Sequence, residues 1–283
     1  MDHIVNTDQA EFWSGDPGQA WVSKQPFFDA LLSPALDLLY EIAELRTGEQ
    51  IVDIGCGTGT SLLESAKQVG ETGHVTGVDV STPMLAMALE RVKAAGLSNV
   101  DCIEADAQIY DMSEFQADHV ISRFGVMFFD APHAAFANIA TALKPRGRLS
   151  FICWATLRSN PWFQLPAAIA KDVVGAPPPP DPRAPGPMAF AEQSYIQDIL
   201  NASGFRDIEM QEVSVELTPL GSCEEVATFA ATEGPAMRIV REMGGTEEHT
   251  STIRTRLIDS FEQFSTPEGM RVPALFNVVK ARV

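Results

Sequence analysis

The sequence predicts an α/β fold built on a mostly parallel sheet with helices on both faces. Three observations carry that expectation. Short β-branched runs alternate with helically spaced segments from Gln50 to Trp154, the links between them are short, and a glycine-rich turn, VDIGCGTGT at 52–60, follows the first run. Alternation of this kind means βαβ units, whose crossovers cover both faces of a parallel sheet.

Each element has its own signature. IVDIG (51–55) is a buried-strand run, and TSLLESAKQVG (60–70) follows with helical spacing and a closing glycine. HVTGVDV (74–80) is the second strand. STPMLAMALERVKAAG (81–96) has a Ser/Thr cap, Pro in its first turn and Gly at its end, the marks of a helix. VDCIEAD (100–106) and ADHVISRF (117–124) are the third and fourth strands, APHAAFANIATALKP (131–145) is a helix, and GRLSFICW (147–154) is the fifth strand. Beyond Trp154 the texture changes. GAPPPPDPRAPGP (175–187) suits neither a helix nor a central strand, because proline removes donors and fixes φ, so it reads as a semi-rigid loop or lid. FAEQSYIQDILNASGF (190–205) is helical, and FRDIEMQEVSVELT (205–218) alternates as an antiparallel strand does. Helical patterns cover roughly 222–243 and 247–264, and VPALFNVVKARV (272–283) is an apolar strand. The expected division is a helical cap at 1–47, a core at 48–155, and a remainder at 156–283. That remainder holds the lid loop, a core helix and strands (190–218, 272–283), and a helical insertion at 221–268.

Composition narrows the function. The chain has 283 residues and a formal net charge of −18, which repels phosphate backbones and anionic lipid. Nucleic acid is therefore not an expected partner. Lys24 is the sole Lys or Arg among the first 44 residues, so that stretch offers no basic arm. Cys56, Cys102, Cys153 and Cys223 are dispersed, without CxxC or a His cluster, so reduced thiols are expected rather than a disulfide framework or a metal site. MDHIVNTDQAEFW lacks the basic and apolar regions of a secretory signal, and no apolar run is long enough to span a bilayer. A cytoplasmic location is the expectation.

A strand that delivers a glycine turn into a helix N-terminus points backbone N–H groups and a helix dipole at a ligand. Gly55, Gly57 and Gly59 provide that turn here, with Cys56 and Thr58 between them. Thr60 stands where a dinucleotide fingerprint has its third glycine. Such turns also serve tight packing, so the acids carry the argument. Asp53 lies in the first strand, Asp79 ends the second, where a carboxylate can take both hydroxyls of a ribose, and Asp106 ends the third, where it could accept from an adenine amine. Together they converge on the crevice where open α/β sheets bind ligands.

On these residues the chain resembles the class I S-adenosylmethionine-dependent methyltransferases, particularly the small-molecule group of the ubiquinone and menaquinone pathways. VDIGCGTGT, GVDVSTPML and EADAQ match the first three motifs, and the block from Val120 to Trp154 is similar too. One departure is Lys-Pro-Arg-Gly (144–147), where the family usually has Pro-Gly-Gly. The resemblance implies a Rossmann-like, seven-stranded sheet whose last strand runs antiparallel between the fifth and sixth. It implies S-adenosyl-L-methionine as cofactor and S-adenosyl-L-homocysteine as product. By the same resemblance, Asp53 and the glycines shape the turn against the methionine part. Asp79 takes the ribose, Val80 and Met84 lie near the adenine, and Asp106 and Ala107 hold its other edge. Ser122 and Arg123 face the methionine portion and the methyl. Helices of the cap would cover the cofactor, with Trp13, Trp21 and Lys24 suited to that by position.

Methyl transfer from a sulfonium is an in-line displacement of an already activated group, so the protein positions the acceptor and excludes water. Met127, Phe128 and Phe129 after the fourth strand, Trp154 at the end of the fifth, and Asn160, Trp162 and Phe163 beyond it suggest a pocket for a small apolar or aromatic acceptor. Core packing is the competing reading of each. His133 is the candidate base and Arg123 an alternative catalytic candidate, although a His at a helix start is commonly structural or solvated. The amphipathic pattern of 226–243 suits either a roof over the pocket or a homodimer contact. Two other functions fit parts of the pattern: a nicotinamide-dependent oxidoreductase, opposed by Thr60 and unneeded acids, and a non-catalytic cofactor-binding module. Dispersed cysteines argue against arsenite methylation.

Overall fold

The computed structural model describes residues 4–283; Met1, Asp2 and His3, where the expected cap begins, lie outside the described residues. Four helices come first: α1 (Thr7–Ser14), α2 (Asp16–Ser23), α3 (Gln25–Leu31) and α4 (Ser33–Ala43). Then β1 (Gln50–Ile54), α5 (Thr60–Val69), β2 (His74–Asp79), α6 (Thr82–Ala94), β3 (Val100–Glu104), β4 (Ala117–Arg123), α7 (Pro132–Ala142) and β5 (Leu143–Trp154) alternate. The remainder is α8 (Pro161–Val174), α9 (Gln193–Ala202), β6 (Arg206–Leu217), α10 (Cys223–Thr232), α11 (Gly234–Glu242), α12 (Glu247–Phe261), the two-residue strands β7 (Ser265–Thr266) and β8 (Gly269–Met270), and β9 (Val272–Arg282).

The described residues form one seven-stranded sheet in the order β3-β2-β1-β4-β5-β9-β6, with β7 and β8 a separate hairpin. β9 pairs antiparallel with both neighbours, while β1 pairs parallel with β2 and β4. Strand order reverses between β1 and β4, so a crevice opens at their carboxyl ends. This is the Rossmann-like class I methyltransferase fold that the resemblance implied.

Local chemistry explains most boundaries. Ser81 caps α6 by accepting from the Met84 N–H at 3.4 Å, and Pro83 fits the first turn. α5 ends where Gly70 turns left-handed. Arg148 clips the end of α4 to β5, donating to the Ala43 carbonyl at 2.6 Å and to Glu49 at 2.5 Å. The helices before β1 are thereby fixed against the sheet.

Two expectations need correcting, and one helix lies outside them. The helix read over 131–145 stops at Ala142, and Leu143 already pairs with Ala117 of β4. Pro145 disfavours helical backbone at Lys144, so the chain turns extended early. Within that strand Arg146 has φ 68°, a conformation that a glycine would adopt without strain. α8 has no counterpart among the expected elements: despite Pro161 and Pro166, Trp162, Pro166, Ala167, Ile169 and Ala170 are buried, and that packing outweighs propensity. The helical run at 222–243 is two helices, broken at Gly234–Pro235, while the one at 247–264 is helical throughout, as α12 and a closing 3-10 turn over Glu262–Phe264. The stretch 175–187 lies outside helices and strands and docks by the Gly186 N–H on the Met127 carbonyl at 3.0 Å.

Candidate functional site

The glycine turn is built from backbone strain that only glycine tolerates. Gly55, Gly57 and Gly59 have φ of 70°, 54° and 86°. A Cβ on Gly55 would lie 2.5 Å from the Gly125 Cα, in the turn that follows β4, and a Cβ on Gly125 would lie 2.4 Å from the Ile54 carbonyl oxygen. Two backbones thus touch, which brings the end of β4 against the end of β1. Gly125 was not singled out in the sequence, where a lone glycine after a strand carries no signal of its partner.

Asp79 ties this turn to β2. Its Oδ2 accepts from the Gly57 N–H at 2.8 Å and its Oδ1 from the Ser81 N–H at 2.9 Å. Burial pushes its carboxyl up while those backbone bonds pull it down. Beneath the turn, Asp53 is fully buried; its Oδ2 accepts from the Ser61 hydroxyl at 2.5 Å and its Oδ1 has no partner. Burial raises Asp53 to about 7, opposed by the Ser61 bond and by Arg123. Arg123 ends β4 with Nη1 inaccessible and unpartnered, and burial lowers its affinity for its proton against the pull of Asp29 and Asp53.

A second set of polar groups, not read from the sequence, braces the turn from outside. Arg91 of α6 donates to the Thr58 carbonyl at 2.8 Å, to the Thr60 hydroxyl at 3.0 Å and to Asp29 at 2.8 Å. Thr60 donates to Asp29 at 2.6 Å, and Tyr40 donates to the Ser61 carbonyl at 2.6 Å. The threonine that replaces a third glycine therefore links α5 to α3.

Asp106 serves the N-terminal segment. Its Oδ2 accepts from the Val5 and Asn6 N–H groups at 3.1 and 2.9 Å and from Gln108 Nε2 at 3.2 Å, while Oδ1 accepts from the Gln108 N–H at 2.9 Å. Asn6 donates to the Phe128 carbonyl at 2.8 Å, and Ser81 donates to the Trp13 carbonyl at 2.6 Å. Residues 6–21 are thus laced over the crevice.

Together these parts enclose a cavity of about 910 Å³, its mouth included. Gly55, Cys56, Gly57, Thr58, Asp79, Val80, Met84, Asp106, Ala107, Arg123 and Trp21, all expected at a cofactor site, line it. Phe128 and Phe129, expected in an acceptor pocket, line it too. Asp53, Gly59 and Ser122 do not: Asp53 lies behind Ser61, Gly59 begins α5, and the Ser122 hydroxyl points back to the Ile54 carbonyl at 2.7 Å. Asn6, Gln9, Ser61 and Phe124 are among the wall residues that the sequence did not point to.

The remaining acceptor-pocket residues are core. Met127 is sealed, and Trp154 stacks on Phe124 with centroids 5.1 Å apart. Asn160 is fully buried and clips α8 to β9, giving to the Thr156 and Leu275 carbonyls and accepting from the Leu275 N–H at 2.9 Å. Trp162 packs between Phe229 and Phe261. His133 is exposed on α7, its ring 6.4 Å from that of Tyr195, and is not on the cavity wall. No residue of 175–187 lines the cavity either; α1 and α2 roof it instead. Among the described residues, no helix is long and apolar enough to cross a membrane.

Residues 51–147 match the family described as "Methyltransferase domain". Aklanonic acid methyltransferase DauC of Streptomyces sp. (strain C5) is 34% identical over 113 residues, 40% of this chain and 51% of that protein. Demethylmenaquinone methyltransferase of Listeria welshimeri is 31% identical over 125 residues, 44% of this chain and 53% of that one. The chain therefore spans about half the length of these relatives. Among solved structures, Haemonchus contortus phosphoethanolamine N-methyltransferase 2, in complex with phosphomonomethylethanolamine and S-adenosylhomocysteine, superposes with a TM-score of 0.59 at 18% identity. The match covers 99% of this chain and 60% of that one. Residues 51–147 are thus similar to a methyltransferase domain, and they lie within a sheet of the class I, Rossmann-like fold.

Proposed function

We propose that the cavity holds S-adenosylmethionine and that the protein transfers its methyl group to a small apolar or aromatic acceptor by in-line displacement. The observation that carries this reading is the shared wall: a strained glycine turn, the Asp79 carboxylate that grips it and the unpartnered Arg123 Nη1 all belong to one cavity. These groups fit the cofactor's chemistry. Asp79 keeps lone pairs free for the ribose hydroxyls. Arg123 supplies a desolvated cation for a carboxylate. Met84 and Val80 offer an apolar floor for the adenine. Asp106, engaged with backbone N–H groups, also holds the roof down over that end.

The bound sulfonium supplies an activated methyl. The chain's part is to position and to exclude water: Trp13, Trp21, Phe124 and Phe128 present rings to the cavity, and ring faces attract cations. The test is calorimetry with S-adenosylmethionine, S-adenosylhomocysteine and NADH. Binding of the first two with no heat from the third supports the reading, and the reverse order overturns it. Arg123→Met should weaken S-adenosylhomocysteine by about tenfold or more, the scale of a hydrogen bond between charged groups.

A further inference from the structure

A second cavity opens at the amino ends of β4 and β5, the end of the sheet away from the crevice. Its volume is about 490 Å³, mouth included, and it shares no wall residue with the first. Strand register builds it. His119 of β4 pairs with Arg148 of β5, which pairs with Arg282 of β9, and two residues along Ser150 pairs with Lys280. Alternation along each strand puts these five side chains on one face. A covered face of a sheet like this ordinarily carries branched apolar residues; here it carries three cations, an imidazole and a hydroxyl. The end of α4 and the segment after it lie over that face: Arg148 donates to the Ala43 carbonyl, and Glu44 and Arg46 join the wall. On the far side the edge strand β6 loses register between Arg206 and Glu209, where Asp207 has φ 49° and also reaches the wall. An irregularity of that kind re-aims side chains at a sheet edge.

The polar groups of this wall are only partly matched. Arg148 is paired with Glu49, and Lys280 with Glu209 at 3.0 Å. Among the described residues, the side chains of Arg46, Arg282, Glu44 and Asp207 have no ion pair and no hydrogen bond. On the floor His119 is 1% exposed; its Nε2 bonds the Ser150 hydroxyl at 2.9 Å, and its Nδ1 is buried without a partner. Burial, with Arg148 and Arg282 nearby, holds the ring neutral. When the Ser150 hydroxyl donates to Nε2, a neutral ring carries its proton on Nδ1, a donor with no acceptor. Buried polar groups are ordinarily satisfied, so this one marks a place for a ligand atom.

We propose that this second cavity binds a small phosphorylated polyol, its phosphoryl group held by Arg46, Arg282 and the His119 Nδ1 hydrogen, and its hydroxyls by Glu44 and Asp207. Donors converging from the segment after α4, from β4 and from β9 suit a tetrahedral oxyanion with three terminal oxygens, and guanidinium forks meet those oxygens in pairs. The two unpaired acids accept hydroxyl hydrogens and repel a second anionic group, so the rest of the ligand is neutral and polar. Ile42, Leu149 and Ala281 are the apolar residues of the wall, too few to reward an apolar tail. The site is independent of what the first cavity holds, since the two have no residue in common.

The experiment is calorimetry on the full chain with glycerol 3-phosphate, propyl phosphate and malonate, together with spectra of protein labelled with nitrogen-15 at histidine. Glycerol 3-phosphate should bind saturably. It should bind more tightly than propyl phosphate, which lacks the hydroxyls, and than malonate, whose anionic groups are planar. Arg46→Gln and Arg282→Gln, both at exposed positions, should each weaken it about tenfold, the scale of a hydrogen bond between charged groups. Arg238→Gln, at an exposed arginine of α11 outside the wall, should leave the affinity unchanged. Unfolding in urea at the wild-type midpoint shows that each variant is folded. The His119 Nδ1 signal should shift on addition of glycerol 3-phosphate. No saturable binding, propyl phosphate or malonate binding as well as glycerol 3-phosphate, or an unmoved His119 signal overturns the proposal. So does equal affinity in wild type and both wall variants, or the same loss in Arg238→Gln.

Discussion

Replacing Asp79 by alanine tests the site at its most connected residue. The carboxylate accepts from two backbone N–H groups, Gly57 at 2.8 Å and Ser81 at 2.9 Å. Alanine leaves both donors without that acceptor. Each buried donor left unpaired costs about 1–3 kcal/mol, and part of this is recovered where water reaches the cavity wall. The cofactor-free protein should therefore lose about 2–4 kcal/mol of stability. Its affinity for S-adenosylhomocysteine should fall by about 1.5–3 kcal/mol, or roughly 10- to 200-fold, for the lost ribose contacts. Asp79→Asn separates the two losses. One amide oxygen can still accept from one N–H, but the NH2 group then faces the other donor, so stability recovers only in part. Urea unfolding followed by tryptophan fluorescence reads the first quantity and calorimetry the second. An Asp79→Ala protein with wild-type stability would refute the bridging role, and one with wild-type affinity would refute the ribose assignment.

Asp53 gives a pH prediction whose sign is fixed by burial. Its folded value of about 7 lies above the ordinary 3.8 of a free aspartate, so the folded state binds the extra proton. The resulting stabilisation is fully present below 3.8 and lost as pH rises through about 7. Asp53→Asn, which cannot ionise, should gain about 3 kcal/mol relative to wild type between pH 5 and pH 8.5, and parallel stability curves in that window would contradict the assignment. Asp106→Ala removes the acceptor of the Val5 and Asn6 N–H groups, so hydrogen exchange across residues 5–13 should accelerate while α9 and β9 stay protected; unchanged exchange would show that the roof is held by other contacts. Gly125→Ala drives a Cβ to 2.4 Å from the Ile54 carbonyl oxygen and should cost about 1–3 kcal/mol in urea unfolding. His133→Ala should leave methyl-transfer turnover at the wild-type level, because the ring is exposed and off the cavity wall; loss of turnover would restore it as a base.

The sequence is most legible where backbone geometry forces residue choice. Positive φ at Gly55, Gly57 and Gly59 admits little else, and the Ser81 cap with Pro83 marks the start of α6. The strand-end acids are legible for the same reason, since parallel strands bring their carboxyl ends together. What they bond to is less so. Asp106 takes amides from a segment about a hundred residues away in sequence, and no local pattern in Val5 or Asn6 announces that. Arg91 and Asp29 brace the turn from two different helices, again a purely tertiary relation. Apolar residues after β4 and β5 were read as pocket from their position along the chain. Trp154 instead faces Phe124 and Phe276, because direction off the sheet, rather than nearness to its end, decides burial. α8 went unread for a related reason: two prolines disfavour a helix locally, and buried Trp162 and Ile169 overrule them.

The central claim is that this cavity binds a methyl donor and the protein spends it on a small molecule. Incubation of the protein with S-adenosylmethionine carrying an isotopic methyl, in fractionated cell extract, tests it most directly. The account predicts label in an organic-soluble, low-mass product that absorbs as an aromatic compound, with S-adenosylhomocysteine formed in equal amount. Label confined to macromolecules, or none at all from a donor that binds tightly, would contradict it.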